Sequence, residues 1–200
     1  MEKTLQIWAI ILAAGESKRM MSPKMLLPFR GSTIIETVIT NAGRSEVDGS
    51  LVVLGAFREE IGALIRNRPV IQCFNEYYKL GMLSSVKCGF RNLPPECSAA
   101  LVFQGDQPLI EPVVINTVIS SYRKWGKRIV IPVCNGKRGH PLLIDCRLKD
   151  AVAELDDAEG LRSLAGIYPD DVLEVETNSP SILKDFDTIE DYQNEINQKN

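Results

Sequence analysis

Residues 10–24 read IILAAGESKRMMSPK, and the organisation of the 200-residue chain follows from this stretch. An apolar run from Ile7 to Ala14 stops at Gly15, and a polar segment with lysine and arginine side chains follows it. This pattern is typical of a buried strand that ends in a cationic loop. In an open α/β sheet, ligands bind beyond the carboxyl ends of the strands, and cations suit a polyphosphate. The alternative interpretation is a strand followed by a solvated surface loop.

The composition is that of an ordinary globular protein, with 44% hydrophobic and 24% charged residues,. A chain of this length predicts a single domain over residues 1–200. The formal net charge of -3 argues against a nucleic-acid partner, so any phosphate must be held by a local cluster of cations,. No apolar run approaches the roughly 20 residues that span a bilayer, and the N-terminus lacks a signal-peptide pattern. We therefore expect no membrane partner.

The cysteines indicate the redox compartment. The chain has five cysteines and no Cys-x-x-Cys pair, which predicts reduced thiols in a cytoplasmic protein,. With one histidine and no clustered cysteines, structural zinc is not expected,.

Apolar runs and helical periodicities alternate along the chain. Strands are predicted at 7–14, 51–54, 70–74, 99–103, 129–133, 140–144 and 172–175. Helices are predicted to begin after a Thr33/Glu36 capping box, at Glu111 and at Thr188, and one is predicted to end before Pro94. Further helices are predicted at 59–66, around 148–155 and at 160–166. This alternation predicts an α/β fold with one mostly parallel sheet and a small antiparallel extension in the second half.

Two acidic segments lie at the ends of predicted secondary-structure elements, one after a strand and one before a helix. Gly105-Asp106-Gln107-Pro108 follows a buried strand, and Asp185-Phe186-Asp187 precedes the last helix. Carboxylates hold Mg²⁺ in phosphate-handling enzymes, which makes Asp106 and Asp187 candidate metal ligands. Alternatively, Asp106 is a turn or helix-cap residue, and Asp187 caps the final helix.

The remaining polar candidates carry weaker signals. His140 is the only histidine and lies in a turn, where a histidine is most often exposed. Asn75, Ser84 and Ser85 could hydrogen-bond a polar substrate, although such residues are common in loops. The sequence lacks a P-loop, a Gly-x-Gly-x-x-Gly motif after the first strand and a Gly-x-Ser-x-Gly elbow, which disfavours the enzyme classes that these motifs mark.

Several ordered motifs resemble a known family. Leu12-Ala13-Ala14-Gly15, with Ser17, Arg19 and Lys24, resembles the signature loop of the nucleotidyltransferases. Gly105-Asp106-Gln107-Pro108, Gly139-His140-Pro141 and Asp185-Phe186-Asp187-Thr188 match further blocks of the molybdenum cofactor cytidylyltransferase branch, in order. Asn75, Gly81-Met82 and Ser84-Ser85 fit the middle block of the same branch. The resemblance runs from about residue 7 to residue 192, nearly the whole chain.

This resemblance implies a Rossmann-like three-layer sandwich and Mg²⁺-dependent transfer of CMP from CTP to molybdopterin, with release of pyrophosphate. It also implies a molybdenum hydroxylase apoenzyme as a further partner. The implied catalytic residues are Arg19, Lys24 and Asp106, and the implied metal ligands are Asp106 and Asp187. The implied nucleotide-binding residues are Leu12, Ala13, Ala14, Gly15, Arg19, Lys24 and Gly105. The implied substrate-binding residues are Asn75, Gly81, Ser84, Ser85, Gln107, Pro108 and His140.

Two positions bear on specificity and loop shape. The guanylyl-transferring relatives usually have glycine where this chain has Ala14, so the resemblance favours cytosine over guanine. Met21 stands where the family has glycine, which predicts a differently shaped loop because glycine eases a turn with positive φ.

Three alternatives stay open at this point. The first is a related enzyme that acts on GTP, or on a sugar or alditol phosphate. The second is a non-catalytic accessory protein that helps to mature a molybdenum hydroxylase. The third is a plain nucleotide-binding α/β domain without turnover.

Overall fold

The computed structural model describes residues 5–17, 20, 23–186 and 188–197. The strands in these parts of the chain are β1 (Gln6–Ala13), β2 (Pro28–Phe29), β3 (Ser32–Thr33), β4 (Gly49–Leu54), β5 (Ile71–Phe74), β6 (Cys97–Gln104), β7 (Ile129–Cys134), β8 (Lys137–Arg138), β9 (Leu142–Asp145) and β10 (Val172–Glu176). The α-helices are α1 (Ile34–Gly43), α2 (Arg58–Ile65), α3 (Met82–Asn92), α4 (Pro112–Trp125), α5 (Lys149–Glu154), α6 (Ser163–Ile167) and α7 (Ile189–Asn197).

The main sheet has the strand order β10-β7-β9-β6-β1-β4-β5, with β8 paired to β7. The pairs β1–β4, β1–β6, β4–β5 and β7–β10 are parallel, whereas β9 is antiparallel to both of its neighbours, β6 and β7. The predicted mostly parallel α/β fold is confirmed. The antiparallel strand lies inside the sheet, between β6 and β7, and β2 and β3 form a separate hairpin.

Helices cover both faces of the sheet. Alternate residues of β1 point to opposite sides: Ile7, Ala9 and Ile11 contribute to one buried cluster, and Ile10 and Leu12 to the other,. The first cluster also contains buried residues of α1, α2 and α4, and the second contains those of α3, α5 and α6. The near-continuous apolar run of β1 reflects this burial on both faces, as expected of a central parallel strand.

Most predicted element boundaries agree with the structure to within a few residues. The Thr33/Glu36 capping box is present at the start of α1. β9 begins at Leu142, two residues after the predicted start at His140. The reason is that Pro141 has no N–H to donate to a ladder and the His140 N–H donates to the Ile182 carbonyl instead, at 3.1 Å,.

The topology brings several strand ends to one edge of the sheet. The carboxyl ends of β1, β5 and β6 lie at the same edge because these strands share a direction. The antiparallel β9 enters the sheet from that edge. Ala14, Asn75, Gly105 and His140 therefore lie along one rim. No helix in the described parts of the chain is long and apolar enough to cross a membrane.

Candidate active site

The chain segments that follow β1 and β6 approach each other closely. The Gly105 N–H donates to the Leu12 carbonyl at 3.0 Å. A Cβ at position 105 would lie 2.7 Å from that carbonyl oxygen, and a Cβ at Gly55 would lie 2.4 Å from the carbonyl oxygen of Ala14. Glycine is required at both positions because a side chain would push the strand ends apart.

A first cavity of about 230 Å³ opens beside these strand ends. It is lined by Leu12, Ala14, Gly15, Lys24, Met25, Tyr78, Gly81, Met82, Ser85, Gln104 and Asp106. The structure thus brings together residues that are distant in sequence and that belong to three of the predicted motifs. Ala13 faces the apolar cluster on the opposite side of the sheet. Gly105 does not line the cavity, but its close contact with the Leu12 carbonyl holds the ends of β1 and β6 together.

Lys24 and Asp106 form an ion pair at the floor of the first cavity. Their side chains are only 14% and 10% exposed, respectively. A carboxylate withdrawn from water to this extent needs a nearby cation, which Lys24 supplies. Asp106 lies in a turn, and it caps no helix in the described parts of the chain. The backbone N–H of Lys24 donates to the Ser17 hydroxyl at 3.1 Å, so the residues on either side of the loop after β1 lie close together.

Two predicted site residues, Arg19 and Asp187, lie outside the described residues, as does Met21. The residue before Asp187 is described: the Phe186 N–H donates to the Asp106 carbonyl at 3.3 Å. Thr188 and Asp191 make reciprocal backbone–side-chain hydrogen bonds at the start of α7, at 2.9 and 3.1 Å. These bonds cap the helix, so the cap does not require Asp187.

Asn75 and Ser84 support the first cavity without lining it. Asn75 is buried, and its amide donates to the hydroxyls of Ser84 and Ser85 at 2.9 and 3.0 Å. Its carbonyl oxygen accepts the Tyr77 N–H at 3.0 Å. The amide thus has its main hydrogen bonds within the protein, and its effect is to hold Ser85 at the cavity wall.

Gln107 and Pro108 are buried behind Asp106 and line neither the first cavity nor the neighbouring one. The Pro108 carbonyl accepts a hydrogen bond from the Asn41 side chain at 3.1 Å. The side-chain oxygen of Gln107 is buried and has no hydrogen-bond partner within the described structure. A buried amide oxygen without a partner is unusual and leaves an acceptor next to Asp106.

A second cavity, of about 460 Å³, adjoins the first and shares Met82 with it. Its apolar walls come from β6, β7, β9 and the segment 158–165, including Val102, Ile131 and Leu142. Its polar lining includes His140, Arg138, Arg162 and Glu159, and Arg138 is also paired with Glu174 at 2.7 Å. The two cavities together have apolar walls and charged side chains of both signs.

Sequence reasoning missed Met25, Tyr78 and Gln104 in the first cavity, and Arg138 and Arg162 in the second. Gln104 carries a usable signal, since it is a polar residue that directly follows the apolar run 99–103. The two arginines lie in polar segments that resemble any exposed turn, so the sequence gives no local signal for them.

His140 is half-buried, and the expectation of an exposed turn histidine is wrong. Burial lowers its pKa below the ordinary value of 6.5, and the negative charge of Asp106 partly opposes that shift,. A Cβ at Gly139 would lie 2.4 Å from the Ile182 carbonyl oxygen, so the close approach of these two segments fixes the position of His140. Because the pKa of His140 lies below 6.5, its imidazole is mostly neutral at pH 7.

The lowered pKa predicts a pH-dependent stability. The unfolded chain binds a proton at His140 at higher pH than the folded chain does, so the free energy of unfolding falls as the pH drops below about 6.5,. His140→Gln removes this proton-binding difference, and its unfolding free energy is expected to vary less between pH 7.5 and pH 5.5. Urea denaturation at both pH values measures the effect. An equal or steeper loss in the variant would contradict the assignment.

The fold and the site together define a class of protein. A lysine–aspartate pair and two adjoining cavities at one sheet edge suit an enzyme that joins a phosphate-bearing molecule to a second one. Residues 9–172 match the MobA-like NTP transferase domain, and the chain belongs to that family.

Individual relatives support this placement. The chain is 29% identical over 189 residues to the molybdenum cofactor cytidylyltransferase of Escherichia coli K12, covering 92% of each chain. It is 31% identical over 133 residues to a probable molybdenum cofactor guanylyltransferase of Natranaerobius thermophilus, covering 66% of this chain but only 63% of that relative. The crystal structure of Rv0371c from Mycobacterium tuberculosis superimposes with a TM-score of 0.85 at 23% identity, over 96% of this chain and 98% of that one. A manganese complex of Rv0371c gives a TM-score of 0.75 at 22% identity, over 94% and 97% of the two chains.

Proposed function

We propose that this chain, acting as one nucleotidyltransferase domain, transfers CMP from CTP to molybdopterin and releases pyrophosphate. The observation that carries the proposal is the Lys24–Asp106 pair in the first cavity, which adjoins a second cavity of different character. A reaction that joins two molecules needs two adjoining binding sites with charged groups between them.

The first cavity is assigned to the nucleotide. Its rim is made by the backbone of residues 12–15, where Gly15 leaves space for close approach of a ligand. Lys24 would bind the phosphates, with Arg19 as its proposed companion. Ser85, held by Asn75, and Gln104 offer hydrogen-bonding groups for a base or ribose.

The second cavity is assigned to the acceptor. A planar pterin suits the apolar walls formed by the sheet, and its phosphate suits Arg138 and Arg162,. His140 stands at the side of this cavity toward Asp106, where a neutral imidazole can accept or donate a hydrogen bond,. The product would then pass to a molybdenum hydroxylase apoenzyme.

The donor set near Asp106 fits a hard divalent cation such as Mg²⁺. Asp106 supplies a carboxylate at the wall of the first cavity, and carboxylate oxygens are the ligands that such a cation prefers,. No cluster of three acidic, cysteine or histidine side chains occurs among the described residues. Asp187 is therefore proposed as the second carboxylate, and the Phe186–Asp106 hydrogen bond supports this assignment. When bound, the cation would offset the negative charge of the triphosphate.

The remaining chemistry requires little of the protein. The attacking group would be an oxygen of the acceptor phosphate monoester, which is largely dianionic near neutral pH because its second pKa is about 6. No protein nucleophile is needed. The main barrier is repulsion between the acceptor and the triphosphate, and Lys24 and Arg19 would reduce it and stabilise the departing pyrophosphate.

The choice of CTP over GTP rests on Ala14 and on the E. coli relative, which covers 92% of this chain. Ala14 lines the first cavity, where its methyl group takes space that a glycine would leave open. The guanylyltransferase relative makes GTP the alternative donor.

Pyrophosphate release with each of the four ribonucleoside triphosphates, with and without molybdopterin and in the presence of Mg²⁺ or a chelator, tests the proposal. We expect release with CTP and molybdopterin at least about tenfold faster than with GTP, which corresponds to about 1.4 kcal/mol of discrimination. Faster pyrophosphate release with GTP than with CTP would identify GTP as the nucleotide donor. Nucleotide binding without any pyrophosphate release would identify a binding protein instead.

A further inference from the structure

Four cysteines lie in two close pairs. The Sγ atoms of Cys73 and Cys88 are 3.9 Å apart, and those of Cys97 and Cys146 are 3.6 Å apart. All are free thiols, as is Cys134. To reach the roughly 2.05 Å of a disulfide bond, the sulfurs of each pair must approach each other by about 1.5–1.9 Å, through side-chain rotation and a small movement of the backbone,.

Cys73 and Cys88 connect the edge of the sheet to a helix. Cys73 is on β5, the last strand of the sheet path, and is half-buried. Cys88 is on α3 and is 3% exposed. A small oxidant can therefore reach the pair from the open side of β5, while the second sulfur is shielded from larger reagents.

The surroundings of Cys88 favour its reactive form. A hydrogen bond from the Cys73 thiol lowers the pKa of Cys88, and the positive charge of Arg91 lowers it further, against the opposing effect of burial. The thiolate is the nucleophile in thiol oxidation and exchange.

The same strand and helix support the wall of the first cavity. Asn75 follows Cys73 by two residues and hydrogen-bonds Ser84 and Ser85, which lie one turn before Cys88 on α3. A disulfide between Cys73 and Cys88 would therefore form two residues from Asn75 and one helical turn from Ser84 and Ser85. Drawing β5 and α3 together there changes the position of Ser85 relative to the cavity.

We propose that Cys73 and Cys88 form a reversible disulfide, and that this bond weakens ligand binding in the first cavity. With a hydroperoxide as oxidant, one thiolate attacks the peroxide oxygen, the O–O bond breaks, and a sulfenic acid and an alcohol or water form. The second thiol sulfur then attacks the sulfenic sulfur, the S–S bond forms and water leaves. Both sulfurs are oxidised, the peroxide is reduced, and an added dithiol reverses the bond by exchange.

The second pair provides an internal comparison. Cys97 begins β6 and Cys146 follows β9, so this pair lies at the opposite end of the sheet from the first cavity. Oxidation of Cys97 and Cys146 is expected to leave ligand binding unchanged.

The bond itself is tested by treating the full chain with hydrogen peroxide, blocking free thiols and digesting with trypsin. The expected product joins residues 67–79 to residues 88–91 by a disulfide that dithiothreitol removes. Free thiols at both positions, irreversible oxidation at either, or a link only between Cys97 and Cys146 would overturn the proposal. This test is independent of the proposed function.

The coupling to the cavity rests on the proposed function and is tested by CTP titration of reduced and oxidised protein. We expect oxidation to weaken CTP binding about fivefold, equivalent to losing one hydrogen bond, with full recovery after reduction. A Cys73→Ser/Cys88→Ser double variant should be insensitive to peroxide, and a Cys97→Ser/Cys146→Ser variant should respond like the wild type. If the double variant does not fold, Cys73→Ala serves in its place.

Equal CTP affinity in the linked and reduced forms would overturn the coupling. Absence of CTP binding in the reduced protein would instead contradict the proposed function. The peptide mapping would still show whether the disulfide forms.

Discussion

Asp106→Asn is expected to lower the rate of pyrophosphate release by roughly 10³-fold, because a neutral amide cannot hold a divalent cation as a carboxylate does. The fold should persist, since the amide oxygen can still accept a hydrogen bond from Lys24. The measurement is kcat with CTP and molybdopterin over a range of Mg²⁺ concentrations, together with the melting temperature.

Asp171→Asn is the matched control for this substitution. Asp171 pairs with Arg128 at 2.5 Å beside β10, neither residue lines a cavity described above, and the loss of the pair should leave kcat unchanged. A near wild-type rate for Asp106→Asn at saturating Mg²⁺ would remove Asp106 from the metal site. An equal loss of activity in both variants would indicate a general effect of lost ion pairs.

Gly105→Ala is expected to lower both stability and activity, because the new Cβ would lie 2.7 Å from the Leu12 carbonyl oxygen and 3.1 Å from Met25. A backbone atom cannot move away as a flexible side chain can, so β1 and the Asp106 loop must separate. Overpacking of this kind costs about 1–3 kcal/mol, which corresponds to a fall of roughly 5 °C in melting temperature. Displacing the neighbouring Asp106 should also reduce kcat/KM about tenfold or more.

Gly166→Ala provides the comparison for the glycine substitution. Gly166 lies in α6, and a Cβ there would have no heavy atom within 4 Å. Alanine favours a helix over glycine, so this variant should be as stable as the wild type or slightly more stable. Finding Gly105→Ala equally tolerated would show that the two strand ends can separate without cost.

The parts of the protein with strong local patterns could be predicted. The apolar run before Gly15 predicted β1, and the Thr33/Glu36 spacing predicted the start of α1. Asp106 could be singled out because a carboxylate at the end of a buried strand needs a charged partner, and Lys24 is that partner in the structure.

Roles that depend on partners distant in the chain could not be predicted. Asn75 is an apparent substrate contact in the sequence, but its buried amide is occupied by Ser84 and Ser85. Gln107 follows Asp106 directly, yet it is buried and lines neither cavity. His140 belongs to a polar turn whose burial results from contact with the segment around Ile182, more than 40 residues later,.

The sequence by itself determined the order of strands and helices and the segments that carry charge, because burial period and turn chemistry are local properties of the chain. Only the tertiary structure decided that β9 enters the sheet between β6 and β7, that a second cavity adjoins the first, and that Cys73 meets Cys88. Those contacts depend on which surfaces pack together once the sheet forms, and packing joins residues without regard to their separation in sequence.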